Sequence, residues 1–418
     1  MSDEDFHTQV LVCGGGPGGL AAAVSAARNG ADTLLVERYG FLGGMATAGL
    51  VNPFMTWFAG GEQIINGIFQ EVLDRLAAKG GFGGPRQRWC FDPEVFKIVA
   101  DEICLESGVK LLLHSFVSGA NVSGSTIESV TLTCKPKGRE VKASIYIDAT
   151  GDADLAYLAG VPCEKGREGD HLSQPMTLNF RMGGVDLERV PPRADITELY
   201  LKAREQGRVN CPRNDVLCFL TNREGEVHFN TTRIIRADAT SASDLTGAEI
   251  ESRRQAEQIA AFMISDVTGF ENAYLQLTAT QIGVRESRRI VGEYVMTAED
   301  VLEGRKFEDG IARGSYDVDI HDPDGGGTVI KRLRPGESYD IPYRCLVPLA
   351  IDNLLVAGRP ISTTHEAHSS TRIMPIACAV GEAAGAAAAL CVRGNTIPRK
   401  LDPAALRSTL RARGANLG

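Results

Sequence analysis

The chain has no cysteine spacing that marks redox or metal chemistry. Its ten cysteines are scattered without a C-x-x-C pair, and none joins a Cys/His cluster at zinc spacing. Disulfide exchange and a structural metal are therefore not expected, and the thiols read as reduced and mostly buried. Positive charge is in deficit: 44 Lys and Arg against 53 Asp and Glu leave a formal net charge of -9. An acidic chain repels phosphate backbones and anionic lipid, which excludes nucleic acid and membrane surfaces as expected partners. It leaves room for a local basic pocket facing an acidic substrate. Long apolar runs are also missing. The best candidate, Ile376 to Val392, is alanine-rich and carries Glu382, so it reads as a buried helix rather than a bilayer span. The first residues, Met1-Ser2-Asp3-Glu4-Asp5, offer neither a basic region nor an apolar core of signal type, and a cytoplasmic protein is expected.

What is present suits a globular protein of two packed domains: 418 residues, 43% hydrophobic and 23% charged. Thr8 to Cys13 is a short apolar run of buried parallel type. A glycine-rich turn follows, then an alanine-rich helix from Leu20 to Asn29 closed by Gly30, then a second apolar strand at Thr33 to Val36. This β-turn-α-β order is the unit of a doubly wound α/β sheet. Asp92-Pro93-Glu94 reads as cap, first helical residue and first-turn acid of a helix reaching Ser107, with Gly108 ending it. Strands are expected at Val109 to Leu113 and Ala143 to Ala149. Between about 165 and 340 the pattern changes: Leu172 to Met182 and Glu226 to Ile235 alternate like half-exposed strands, and Ala248 to Ile264 reads as an amphipathic helix. Buried parallel character returns at Asn353 to Ala357, followed by a helix from Pro375 to Leu390. The first domain is therefore expected to be discontinuous, residues 1–160 plus 340–418, with a substrate domain, 165–340, inserted. Gly80-Gly81-Phe82-Gly83-Gly84 and Gly325-Gly326-Gly327 follow no strand and read as loops.

Gly14-Gly15-Gly16-Pro17-Gly18-Gly19 satisfies G-x-G-x-x-G directly after a strand and at the start of a helix, the context that gives the pattern meaning. Gly14 makes the tight turn, Gly16 lets the backbone approach a pyrophosphate, and Gly19 allows close helix–strand packing. The helix N-terminus offers free N–H groups and the positive end of its dipole. Glu37, at the end of the second strand, is placed to accept bonds from ribose hydroxyls and disfavours a 2′-phosphate there.

Three further segments carry a family resemblance. Gly151-Asp152 follows an apolar strand. Gly40-Phe41-Leu42-Gly43-Gly44-Met45-Ala46 contains a glycine pair. Asn353-Leu354-Leu355-Val356-Ala357-Gly358-Arg359 leads to Ala379-Val380-Gly381-Glu382-Ala383-Ala384-Gly385. With Ile282-Gly283-Val284-Arg285-Glu286-Ser287-Arg288-Arg289, these resemble the broad FAD-dependent oxidoreductase family of the glutathione-reductase/hydroxybenzoate-hydroxylase superfamily, fumarate-reductase-like flavoproteins included. The resemblance spans nearly the whole chain and implies a Rossmann-like FAD-binding domain with an inserted α+β substrate domain. It implies FAD contacts at Gly14, Gly16, Pro17, Gly18, Gly19, Glu37 and Arg38. Further contacts are implied at Gly43, Gly44, Met45, Ala46, Val117, Gly151, Gly358, Arg359 and Met374. Some relatives attach FAD through a histidine just after the glycine pair; here Met45, Ala46 and Thr47 follow, so non-covalent FAD is expected. A second G-x-G-x-x-G for NAD(P)H is absent.

For the chemistry beside the flavin, the richest stretch is Arg359 to Pro375. His365 and His368, two of only seven histidines, are candidates for proton transfer, and Arg372 for anchoring an anionic group or the flavin carbonyl edge. Arg285, Arg288 and Arg289 form a basic cluster that either grips a substrate carboxylate or pairs with Glu286 and Glu293. Asn179 with Arg181, and His228, Asn230 and Thr232, form polar strand faces that either roof the flavin or face solvent. The expected function is an FAD-dependent oxidoreductase for a small polar organic substrate, exchanging electrons with an external acceptor or donor. The alternatives are a flavin-binding electron-transfer or regulatory subunit, and a flavin monooxygenase.

Overall fold

The structure is a computed structural model describing residues 6–83 and 89–418. The acidic N-terminal residues Met1 to Asp5 and the end of the glycine-rich stretch at Gly84 lie outside the described residues.

The chain opens with β1 (Phe6–Cys13), α1 (Pro17–Arg28) and β2 (Thr33–Val36). All of β2 is buried, as a parallel strand covered on both faces must be. Pro17 starts α1, where a missing N–H costs nothing, and Gly30 follows its end at φ +94°. Two more helices follow, α2 (Gly67–Ala78) and α3 (Pro93–Glu106). As the sequence predicts, the Asp92 carboxylate caps α3, accepting from the Glu94 and Val95 amides. Then come β3 (Lys110–Leu112), the antiparallel hairpin β4 (Phe116–Ser123) and β5 (Thr126–Thr133), and β6 (Arg139–Asp148).

The inserted region builds a second sheet from β7 (Phe180–Gly183), β8 (Cys218–Leu220), β9 (Val227–Phe229) and β10 (Tyr274–Thr278), in the order β8-β9-β7-β10, all antiparallel. Its helices are α4 (Arg193–Glu205) and α5 (Ala242–Asp266). They cover one face of the sheet, with Phe180, Tyr200, Phe229, Ile259 and Phe262 in a common core. The rings of Phe180 and Phe229 stack 4.8 Å apart. The expected half-exposure of these strands is not found: 174–183 and 226–229 are buried throughout. The face that alternation assigns to solvent is turned inward against the first domain, where Asn179 Nδ2 donates to the Gly49 carbonyl at 2.7 Å.

The last elements are the hairpin β11 (Val318–His321) and β12 (Thr328–Lys331), then β13 (Leu354–Val356), α6 (His365–Thr371) and α7 (Met374–Gly394). The first sheet runs β3-β2-β1-β6-β5-β4, and β13 joins β6 in parallel with Leu354 opposite Tyr146 and Val356 opposite Asp148. Thus β6 holds the hairpin along its first half and β13 along its second. Part of the stretch assigned by sequence to the inserted domain packs elsewhere. Met296, Val301, Ile311, Val318 and Tyr339 belong to the core around α1 and α7. The cause is the buried strand Gly310–Gly314, which lies against α7.

Helix α7 is long and apolar enough to cross a membrane, yet 83% of its most apolar window is buried inside the protein. Its alanines and glycines allow a very close approach to α1. A Cβ on Gly381 would sit 2.0 Å from the Gly18 carbonyl oxygen, and one on Gly385 2.1 Å from that of Ala22. This contact brings the N-termini of both helices to the same cavity.

Candidate active site

A cavity of about 700 Å³ runs between the two sheets, a size common for small-molecule sites. One end is built by the glycine loop. The Gly14 amide donates to the Val36 carbonyl at 2.8 Å, and the turn needs Gly14 at φ +100°, where a Cβ would lie 2.4 Å from the Ala149 oxygen. Gly19 is equally constrained: its Cβ would fall 1.7 Å from the Gly14 oxygen. Gly16 differs. Its φ is an ordinary -67°, and a Cβ there would meet nothing nearer than Gly44 Cα at 3.8 Å. The protein leaves Gly16 room that it does not itself use, on the wall of the cavity and at the N-cap of a helix with no side-chain cap. That cradle fits a pyrophosphate. Glu37, also on the wall, is held by two amides, Gly15 N at 2.7 Å and Tyr39 N at 3.0 Å. It is a fixed acceptor at the end of β2, not a solvated carboxylate.

The other expected cofactor residues divide. Pro17, Gly18, Arg38, Gly44, Met45, Gly151, Gly358, Arg359 and Met374 line the cavity. Arg38 is exposed at the rim, where it donates to Gln281 Oε1. Arg359 is engaged by Asp152 at 2.7 Å and by Ser287 at 3.1 Å, which fixes the wall beside Gly151. Gly19, Gly43, Ala46 and Val117 do not line it. The Gly43 amide instead donates to the Gly15 oxygen at 2.8 Å and ties the two glycine loops together. Ala46 is buried in the following turn, and Val117 belongs to the core under the β4–β5 hairpin.

His365 and His368 are not on the wall. The stretch after Arg359 folds into α6, which is buried along almost its whole length, and only Arg372 at its end reaches the cavity. His365 Nδ1 lies 2.9 Å from Glu286, the carboxylate that also pairs with Arg289 and accepts from the Gln174 amide. His368 is fully buried, and neither ring nitrogen is bonded among the described residues. Burial, then the nearby Arg289, Arg372 and Arg359, hold it well below the ordinary histidine range, so it is neutral. His228 is likewise fully buried and pushed down to about 3, by burial and then by Arg181. Of the polar strand faces, Asn179 and Asn230 do line the cavity, while Arg181 pairs with Glu226 at 2.6 Å.

The end of the cavity away from the glycine loop is polar. It is lined by Thr177, Asn179, Arg213, Asp215, Asn230, Arg285, Tyr316, Asp319, His321 and Arg372. His321 Nδ1 stands 3.0 Å from Arg233 Nη2; a guanidinium only donates, so the ring proton sits on Nε2. That nitrogen is 3.7 Å from Asp319 Oδ2, which also accepts from the Tyr316 hydroxyl at 2.8 Å. Burial first, then Arg285, Arg372, Arg213 and Arg233, depress His321 far below its ordinary pKa. Burial and then Asp319 push the Tyr316 phenol up. A neutral imidazole beside a protonated phenol and a carboxylate is a set able to accept or return a proton. Sequence reasoning missed it. The available signal was the alternation Val318-Asp319-Ile320-His321, which puts both polar side chains on one face of β11.

The basic cluster also resolves residue by residue. Arg289 pairs with Glu286, and Arg288 with Asp154 at 3.0 Å. Arg285 has no carboxylate partner among the described residues. It donates to the Pro175 carbonyl, the Thr177 hydroxyl and Asn230 Oδ1, all neutral. Burial, then Arg372, Arg213 and Arg233, draw its pKa well below the ordinary value.

Comparison with known proteins agrees with this architecture. A digeranylgeranylglycerophospholipid reductase of Methanococcus aeolicus is 28% identical over 171 residues, 38% of this chain and 42% of that relative's length. A geranylgeranyl bacteriochlorophyll reductase-like protein of Thermoplasma acidophilum aligns over 97% of this chain and 83% of its own, with a TM-score of 0.50 and 14% identity. The p-nitrophenol 4-monooxygenase PnpA of Pseudomonas putida aligns over 98% and 87%, with a TM-score of 0.50 and 10% identity. At such identities the two structures share the fold. The FAD dependent oxidoreductase family pattern matches residues 9–410, and the chain belongs to that family.

Proposed function

We propose that this protein oxidises or reduces a small polar organic molecule through non-covalently held FAD, with an external electron acceptor or donor completing the cycle. The observation that carries this reading is the single cavity joining the glycine-loop cradle to the Tyr316–Asp319–His321 set. FAD supplies the two-electron chemistry when bound. The chain's own groups would do the rest. Gly16 and the α1 N-terminus would receive the pyrophosphate, and Glu37 the ribose hydroxyls. The uncapped N-terminus of α7, with Ile373 and Met374 on the cavity wall, would face the ring and favour negative charge on it. The Asp319 carboxylate, with the Tyr316 phenol bonded to it, would exchange the substrate proton, and His321, whose Nδ1 already accepts from Arg233, would hold its Nε2–H toward Asp319. Met45, Ala46 and Thr47 after the glycine pair supply no histidine for a covalent link. Ten unpaired cysteines suit a reducing compartment, and we place the protein in the cytoplasm.

The test uses the purified yellow protein. Acid or heat should release intact FAD into the supernatant. Anaerobic addition of hydroxy acids, amines, sugars or enoates, with reduced protein for the last, should change the flavin spectrum for one class. Flavin that precipitates with the protein would refute the non-covalent link. A flavin inert to every compound yet quickly reduced by a protein partner would make the chain an electron-transfer subunit. Substrate hydroxylation coupled to oxygen would make it a monooxygenase.

A further inference from the structure

The arginines at the polar end are not explained by proton transfer. Arg213, Arg285 and Arg372 face the cavity there, against the carboxylates of Asp215 and Asp319. Both acids are committed elsewhere: Asp215 accepts from Arg213 Nε at 2.8 Å, and Asp319 serves Tyr316 and His321. Arg285 is therefore a buried cation bonded only to neutral oxygens. Arg372 Nε and Arg213 Nη1 are buried without a hydrogen bond among the described residues. A buried charge with no counter-charge is costly, and the cost is tolerated where a ligand supplies the missing partner. The cofactor phosphates have their own cradle in the glycine loop, whose residues make no hydrogen bond to these arginines among the described residues. On the wall three guanidiniums face two carboxylates, and Arg233 behind it bonds to the Gly325 and Gly327 carbonyls and His321, so positive charge is in surplus there and a planar carboxylate matches the guanidinium fork.

We propose that Arg285 and Arg372 form a recognition site for the carboxylate of a small organic acid, with Arg213 flanking it. The proposal rests on the oxidoreductase reading and names its substrate class. Arg285 is pre-set by its bonds to Pro175, Thr177 and Asn230, so its planar fork is already oriented before the acid arrives. Anchoring the acid there holds the rest of the substrate between His321 and the middle of the cavity. The same geometry rejects a neutral amide isostere, which would leave the arginine charge buried and unanswered.

The holoprotein is titrated with unreactive acetate, malonate and benzoate, with the matching amides, and with inorganic phosphate. Binding is read from the flavin visible spectrum and from thermal shift. At least one carboxylate should bind, more weakly as chloride is added, and its amide should not. Arg372→Gln and Arg285→Lys should each weaken it by about tenfold or more, the loss expected of one charge-assisted bond, at unchanged FAD content. Arg372→Gln keeps the test open should the more deeply bonded Arg285 variant fail to fold. The proposal is overturned if amides bind as well as acids, if phosphate binds more tightly than every carboxylate, or if Arg372→Gln leaves affinity unchanged. A protein that binds carboxylates while no compound ever reduces its flavin would sink the oxidoreductase reading and leave the anion site standing. Flavin reduction by a neutral substrate without carboxylate binding would do the reverse.

Discussion

Two glycines of one motif separate binding from folding. An alanine methyl at Gly16 has 3.8 Å to its nearest protein atom, whereas at Gly19 it would stand 1.7 Å from the Gly14 oxygen. Gly16→Ala should therefore fold and melt like the wild-type apo protein while losing FAD affinity by about tenfold or more, since the methyl occupies the phosphate's approach. Gly19→Ala should be poorly soluble or strongly destabilised whether or not FAD is added. Flavin content and apo-protein melting curves of the two variants decide this. Glu382 offers a second residue-level test. Burial, opposed by the Ile68 amide it accepts from and by Arg28, raises its carboxyl to about 7. With the folded value above the unfolded one, this group's stabilisation is complete below about 4.5 and is lost as pH rises through about 7. Glu382→Gln, which keeps the acceptor for Ile68, should raise the melting temperature at pH 8 and change it little at pH 5. The upper bound is about 3 kcal/mol for a shift of this size.

At the level of elements, the site role that the sequence suggests for the stretch forming α6 falls to β11 instead. The sequence offers His365 and His368 as proton-transfer groups, but Thr364 caps a helix there, accepting from the Ala367 amide, and the helix buries both histidines. The β11 strand instead carries His321 to the wall. Asp319→Asn should slow flavin reduction by about 10²- to 10⁴-fold with FAD still bound, in stopped-flow traces with a substrate in hand. His368→Leu should leave that rate alone, and because both ring nitrogens are unbonded it should melt no lower than the wild type. Equal rates for Asp319→Asn and wild type would move the proton-transfer role to Tyr316. Glu286 is the joint between elements, holding Arg289, His365 and the Gln174 amide together. Glu286→Gln leaves Arg289 buried without a counter-charge and should cost about 3–5 kcal/mol, read by chemical denaturation.

For the molecule as a whole, the cofactor end and the substrate end are each assembled from distant parts of the chain. The glycine loop, the Gly43–Gly44 turn, Gly151 and the β13 end meet around one cavity only because β13 pairs with β6 and α7 packs on α1. A ligand bridging these parts stabilises them together. Removing FAD should lower the unfolding free energy by about 2.7 kcal/mol relative to protein kept at a hundred times its dissociation constant. Differential scanning of apo and reconstituted protein measures it. A melting point that ignores FAD would mean the cavity is organised without it.

The strands and helices that the sequence foretold closely are those whose causes lie within a few residues. Asp92-Pro93-Glu94 starts α3 by local capping, Gly108 stops it, and the glycine loop makes its turn whatever surrounds it. The apolar runs at Thr33–Val36 and Leu354–Val356 likewise declare buried parallel strands on their own. By themselves, these residues determined the nucleotide-binding unit and its family. The tertiary structure alone decided which polar groups share the substrate end. Alternation at Leu172–Met182 shows two faces but not what covers the second. A run such as His365–Arg372 does not show which of its side chains a helix will turn inward. Arg213, Arg285, the Asp319–His321 pair of β11 and Arg372 come from separate parts of the chain, and no local pattern links one part to the next. They meet because the inner face of the second sheet closes over the first, and burying that face turns ordinary-looking polar residues into one charged wall.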